Sequence, residues 1–201
     1  VYNRRKPAFW NLQGYNLIKQ SECIVETENS LSDTSFKKIV SDGRLQMEAK
    51  ISDLFSEESF FKSFFSIGGV SFWSTFKSFF QKFLRKRAFE FIVEIELTKK
   101  LMEKYHFSSI LILSEAGSNE KIALQLAHQR QIPVCLVQHG INYNTKESYD
   151  MNVAKGALPI KSDHFLCWGK TGEEFSQSMG INVEKVHSIG SPIFDRLRFD
   201  E

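Results

Sequence analysis

The sequence predicts an α/β protein built on a doubly wound parallel sheet, with a Phe-rich helical segment inserted or appended. Three observations predict it. Short apolar runs at Ser109–Ser114, Val134–Val137 and Asp163–Trp168 have the length and composition of strands buried on both faces of a sheet. A helical pattern, Glu120–Arg130, lies between the first two, which makes a strand–helix–strand unit with a parallel, right-handed crossover. Residues 51–87 differ in kind: ten phenylalanines crowd there, many at helical spacing.

Taken in order, residues 1–50 form the N-terminal part of the α/β domain. Glu22–Glu26 suits a short strand, and Thr34–Val40 a short helix that ends at the Asp42-Gly43 turn signal. Residues 51–105 form the Phe-rich helical segment. Ile67-Gly68-Gly69-Val70 breaks it in two. From Phe72 onward, Phe72, Phe76, Phe79, Phe80 and Phe83 share one side of a helical wheel with Trp73 and Leu84, while Lys77, Gln81, Lys82, Arg85 and Lys86 take the other or its margin. Two readings compete for this amphipathic helix. It packs on a core or a partner with its basic face in solvent. Alternatively, it lies in an anionic membrane surface, the five phenylalanines inserted and Lys82 and Arg85 at the headgroups. Residues 88–105 alternate like a strand, but their length favours a helix.

Residues 106–201 read β-α-β-β-α-β. Ser118 or Asn119 can cap the helix Glu120–Arg130, and Gln131-Ile132-Pro133 stops it. Asp163–Trp168 is the third strand, Thr171–Met179 the second helix with Gly180 at its C′ position, and Val183–Gly190 the fourth strand region.

Several function classes are excluded. A net charge of +2 is too small for a nucleic-acid-binding polycation. The three cysteines, Cys23, Cys135 and Cys167, are far apart and form no CxxC pair, so neither a zinc site nor a disulfide framework is expected. No run reaches the ~18 apolar residues of a membrane span. The polar, basic start is not a signal peptide, which leads to an expectation of a cytoplasmic protein, peripheral on the inner face of the cytoplasmic membrane if the Phe-rich helix binds there. The chain begins without methionine, so it is processed or cut from something longer. There is no P-loop, GxGxxG, GxSxG or HExxH motif. No metal and no cofactor is expected.

In an open parallel sheet, ligands bind outside the carboxyl ends of the strands. Three segments hold those positions. Glu115 to Asn119 offers a carboxylate, a glycine turn and a helix N-terminus, so Glu115 is a candidate base and Gly117, Ser118 and Asn119 candidate oxyanion contacts. Gln138-His139-Gly140 offers an imidazole that can act as base or donor near neutral pH, beside a glycine that lets a ligand approach. Ser191-Pro192 ends the fourth strand region. His106, His128, His164 and His187 read as structural, none having ligand spacing with another histidine or a carboxylate.

Three stretches occur in a familiar order: Pro133-Val134-Cys135-Leu136-Val137-Gln138-His139-Gly140, Asp163-His164-Phe165-Leu166-Cys167-Trp168-Gly169, and Gly190-Ser191-Pro192-Ile193-Phe194-Asp195. Together they resemble the N-terminal domain of bacterial glycosyltransferases with the two-Rossmann (GT-B) architecture, those of surface and capsular polysaccharide biosynthesis. The glycerophosphotransferases of teichoic-acid synthesis and the UDP-N-acetylglucosamine 2-epimerases share that architecture. The match covers roughly residues 108–197. It implies a Rossmann-like half of a GT-B enzyme that holds a saccharide or lipid-linked acceptor. A C-terminal domain would bind the nucleotide-activated donor, which is a substrate and not a cofactor. It implies that residues 190–201 lead toward that domain, that the chain alone lacks it, and that His139, Gly140, Ser191 and Pro192 line the cleft. Two alternatives stand beside it: a nucleotide-sugar epimerase of the same architecture, and a non-catalytic membrane-associated binding module.

Overall fold

A computed structural model describes residues 8–11, 16–17, 32–140 and 148–191. The expected strand at Glu22–Glu26 and the residues from Pro192 onward lie outside them. In chain order the elements are β1 (Ala8–Asn11), β2 (Asn16–Leu17), α1 (Thr34–Leu54), α2 (Glu58–Phe64), β3 (Ser66–Ile67), β4 (Val70–Ser71) and α3 (Trp73–Lys104). They continue as β5 (Ser109–Ile112), α4 (Ser118–Gln129), β6 (Val134–Val137), α5 (Ser148–Ala154), β7 (His164–Cys167), α6 (Lys170–Ser178) and β8 (Val186–Ser188). Contacts divide the chain into two compact units, residues 1–20 with 102–201, and residues 21–101.

The first unit holds a sheet in the order β2-β1-β5-β6-β7-β8. β5 to β8 are parallel, and β1 adds antiparallel to β5. This is the α/β, Rossmann-like class that the sequence predicts. Ile110, Ile112, Val134, Leu136, Phe165 and Cys167 are all sealed from solvent. Burying each large apolar side chain contributes about 1.5–3 kcal/mol. The alternate residues Leu111, Cys135, Val137 and Leu166 are only half-buried, so the expectation of strands covered equally on both faces is corrected. The fourth strand is also shorter than expected: Val183–Lys185 is a 3-10 turn capped by Asn182, and the strand begins at Val186.

Helix ends follow local chemistry. α4 starts two residues earlier than expected, with Gly117 at its N-cap and no side chain capping it, so Ser118 and Asn119 belong to the first turn. The Glu120 carboxylate folds back over Gly117, where any Cβ would collide with it. A buried acid at a helix N-terminus offsets the positive end of the dipole. α6 ends as predicted, with Gly180 at φ +77° and the Gly180 and Ile181 N–H groups donating to the Gln177 and Ser176 carbonyls. α4 ends in the same motif, the Gln131 and Ile132 N–H groups donating to His128 and Ala127 carbonyls, but Gln131 holds φ +58° without being glycine. Gln131→Gly therefore stabilises the sheet unit by about 0.5–1 kcal/mol. An unchanged or lower midpoint in thermal unfolding would show that the strain is absent.

The second unit is helical. Asp33 caps α1, its carboxylate accepting from the Ser35 N–H at 2.9 Å and the Lys100 ammonium at 2.7 Å. Those two donors, Lys100 first, hold the Asp33 carboxyl below its ordinary value. Glu48 and Arg85 pair further along, at 2.7 Å, so α1 and α3 run antiparallel. The helix does not stop at Gly43 as expected; it runs on to Leu54, across the division drawn at residue 50. Gly43 is a close-approach position, since a Cβ there would lie 3.1 Å from Ile92 Cγ2. Near it, Phe36, Val40 and Ile92 form one buried cluster. Trp73 centres the other, with Ile51, Phe55 and Phe61, and Phe65, Phe76, Phe80 and Leu84 packed around it. Its ring stacks on Phe61 at 4.6 Å and on Phe65 at 5.2 Å.

Residues 88–105 are helical as their length predicts, as part of the single 32-residue α3. The Phe face of α3 is split. Phe76 and Phe80 pack inward, whereas Phe72, Phe79 and Phe83 are exposed. Ile67-Gly68-Gly69-Val70 is a two-residue hairpin, both glycines at positive φ as a type I′ turn requires.

Candidate functional site

The carboxyl edge of β5 to β8 is set up by the side chain of Gln138. It leaves the end of β6 and crosses to β7, where its Oε1 accepts the Trp168 N–H at 2.9 Å. Its Nε2 donates to the Gly140 carbonyl at 3.0 Å. Its backbone N–H donates to Leu166, which extends the β6–β7 ladder by one bond. Gly172, in the first turn of α6, makes room for it: a Cβ there would lie 2.7 Å from Gln138 Oε1 and 2.9 Å from Cys167 Cβ. Gln138 is thus a brace that fixes both loops, rather than a free amide.

His139 stands between these anchors. Its ring is exposed, and among the described residues it has no hydrogen-bond partner. Gly140, Trp168 and Gly169 flank it along the edge. Gly169 is the N-cap of α6 with no side chain capping it. Beyond β8, Ser191 is 8% exposed and, among the described residues, its Oγ has no hydrogen-bond partner. In the first turn of α4, Asn119 Oδ1 is buried and also without a partner among the described residues. Buried polar atoms left this way are satisfied by water or ligand in most proteins. β5 and β8 stand three strand spacings apart, about 14 Å.

Glu115 does not point to this edge. It is 8% exposed, and its carboxylate accepts the Ser162 N–H at 2.7 Å and the Lys161 N–H at 3.0 Å. The group ties the loop after β5 to the segment leading into β7. Gly117 and the first turn of α4 are occupied in turn by the Glu120 carboxylate, so an anion would meet like charge there. Of the residues expected from sequence, Gln138 and Gly140 are in contact with His139 between them in the chain, Ser191 lies beyond β8, and Asn119 lies in the first turn of α4. Pro192 lies outside the described residues. Trp168 and Gly172 were not anticipated. The Trp168-Gly169 pair that closes β7 was a signal for the first; nothing in the local sequence marks the second.

Two histidine contacts lie away from this edge. His128 Nε2 is 3.2 Å from Asp163 Oδ2, and His164 Nδ1 is 3.0 Å from His187 Nε2. Strand pairing joins these residues, which sequence spacing separates. Among the described residues no group of three metal-ligating side chains occurs.

Burial pushes the Cys135 and Cys167 thiols above their ordinary value. Both should thus stay protonated near neutral pH. In a Cys23→Ser variant, an aromatic disulfide reagent at about pH 8 reacts slowly with the folded protein and fully after unfolding. Rapid reaction of the folded form would contradict that burial.

No family model matches the chain, and no curated protein sequence matches it. Among solved structures it is similar to UDP-N-acetylglucosamine 2-epimerase from Rickettsia bellii, with 18% identity and a TM-score of 0.40. The similarity covers 54% of this chain and 29% of that one, so the chain spans less than a third of that structure's length.

Proposed function

We propose that the sheet unit is the acceptor-side half of a sugar-transferring enzyme with two Rossmann-like domains, acting in cell-surface polysaccharide synthesis. The observation that carries this is His139, an exposed imidazole without a partner among the described residues, at the end of β6 beside the Gln138 brace. The ordered resemblance of residues 133–140, 163–169 and 190–195 supports the same reading.

In the proposed reaction, an acceptor hydroxyl sits beside His139. A ring nitrogen takes its proton as the oxygen attacks the anomeric carbon of a nucleotide-activated sugar. The bond from that carbon to the nucleotide breaks, and the nucleoside diphosphate leaves with the electron pair. The imidazolium then returns its proton to solvent. The donor is held by a further domain, and no metal takes part in this scheme. Glu115 and Gln138 position the loops and transfer no proton.

The test is an assay on the protein expressed from its complete gene, with UDP-N-acetylglucosamine and other nucleotide sugars, with and without saccharide acceptors. Acceptor-dependent release of nucleotide supports the proposal. Conversion of the donor to an epimer without acceptor would replace it with the epimerase reading. Absence of both across the panel would overturn both.

A further inference from the structure

The helical unit carries an apolar surface that its own fold does not use. Phe60, Phe64, Ile67, Val70, Phe79 and Phe83 are all at least half exposed, with Phe72 close behind. The phenylalanines among them are linked through Phe65 and Phe76, and the β3–β4 hairpin connects Phe65 to Phe72 along the chain. Phe60 stacks on Phe64, Phe64 meets Phe65, and Phe65 touches both Phe72 and Phe76. Phe76 meets Phe79, and Phe79 stacks on Phe83. The outermost part is the β3–β4 hairpin, where Ile67 is 77% and Val70 72% exposed. Nothing lies within 4 Å of where a side chain on Gly68 or Gly69 would begin, so the turn stands clear of the protein.

Charge around the patch has one sign in excess. Residues 56–87 contain six basic side chains and two acidic ones, Glu57 and Glu58. Glu58 is taken by Lys77 at 3.1 Å, and Arg85 is taken by Glu48. Lys82 and Lys86 are exposed on the same stretch of α3 as Phe79 and Phe83. Among the described residues no helix is long and apolar enough to cross a membrane.

We infer that this patch docks the protein on an anionic lipid bilayer, with Ile67 and Val70 and the exposed rings entering the headgroup boundary. Lys82 and Lys86 reach phosphates beside it. Large apolar side chains on a free-standing turn, flanked by lysines, suit a soft anionic interface. The inserted residues differ from those expected of the Phe helix alone: Phe76 and Phe80 are committed to the core and Arg85 to Glu48, while the hairpin leads.

The test is co-sedimentation with phosphatidylcholine vesicles containing about one third phosphatidylglycerol, at low salt. The unmodified chain binds them and leaves pure phosphatidylcholine vesicles largely in solution. An Ile67→Ser/Val70→Ser variant keeps its circular dichroism spectrum, since both residues are exposed, and its binding drops about tenfold. Lys82→Ala/Lys86→Ala weakens binding by a similar factor, and added salt does the same to the unmodified chain. Equal binding by the hairpin variant, or no binding by the unmodified chain, would overturn the inference. So would a dimer in sedimentation velocity that the hairpin variant alone converts to monomer, since the patch would then cover itself.

Discussion

Replacing His139 by alanine, in the protein made from its complete gene, lowers kcat by about 10²–10⁴-fold, the range that a positioned general base supplies. KM for the nucleotide-activated donor stays within about twofold, because in the proposed mechanism the imidazole acts on the acceptor proton and not on donor binding. His106→Ala, an exposed histidine outside the carboxyl edge, leaves turnover unchanged. Glu115→Gln separates a base role for Glu115 from its tie between the loop after β5 and the segment into β7. It weakens the hold on the Lys161 and Ser162 N–H groups and so costs stability. It does not reproduce the loss seen for His139. Near-normal turnover in His139→Ala would remove the base from the proposed mechanism.

Trp73→Ala destabilises the helical unit by about 3–5 kcal/mol, the usual cost of emptying a fully buried aromatic site. Trp73 has no exposed surface and stacks against three other rings. A single domain is stable by only about 5–15 kcal/mol, so much of the helix signal in circular dichroism is lost at moderate temperature. Trp73→Phe is far milder, under about 1.5 kcal/mol, because it keeps most of the stack and removes a donor, Nε1, that is buried without a partner. Phe79→Ala, at 63% exposed, changes stability by less than about 0.5 kcal/mol. A loss of under about 1 kcal/mol for Trp73→Ala, read from urea unfolding, would mean that the aromatic stack is not the core of this unit.

The parallel sheet was legible because its strands are short apolar runs closed by turn residues, and such runs carry their structure locally. The end of α6 was legible for the same reason, through Gly180. Gly43 misled because a glycine in a helix reads as a stop, and only the packing of Ile92 against it explains its place. The edge histidine was visible as His139-Gly140 after an apolar strand. The Gln138 brace was not, since it depends on the missing side chain of Gly172 and on the Trp168 N–H, both distant in sequence. Glu115 looked available as a base because nothing in Glu115-Ala116-Gly117 announces that Lys161 and Ser162 will hold it. The Phe-rich helix announced its amphipathic face. Which rings pack inward was set by α1 and α2, which the wheel of one helix does not contain.

The most direct test of a site on the carboxyl edge is an amide-resolved NMR titration of the chain with saccharide acceptors and nucleotide-activated sugars. Binding there shifts the amides of His139, Gly140, Trp168, Gly169 and Ser191, and leaves those of α1 and the β3–β4 hairpin in place. Shifts confined to other surfaces, with the edge amides unmoved at saturation, would contradict it.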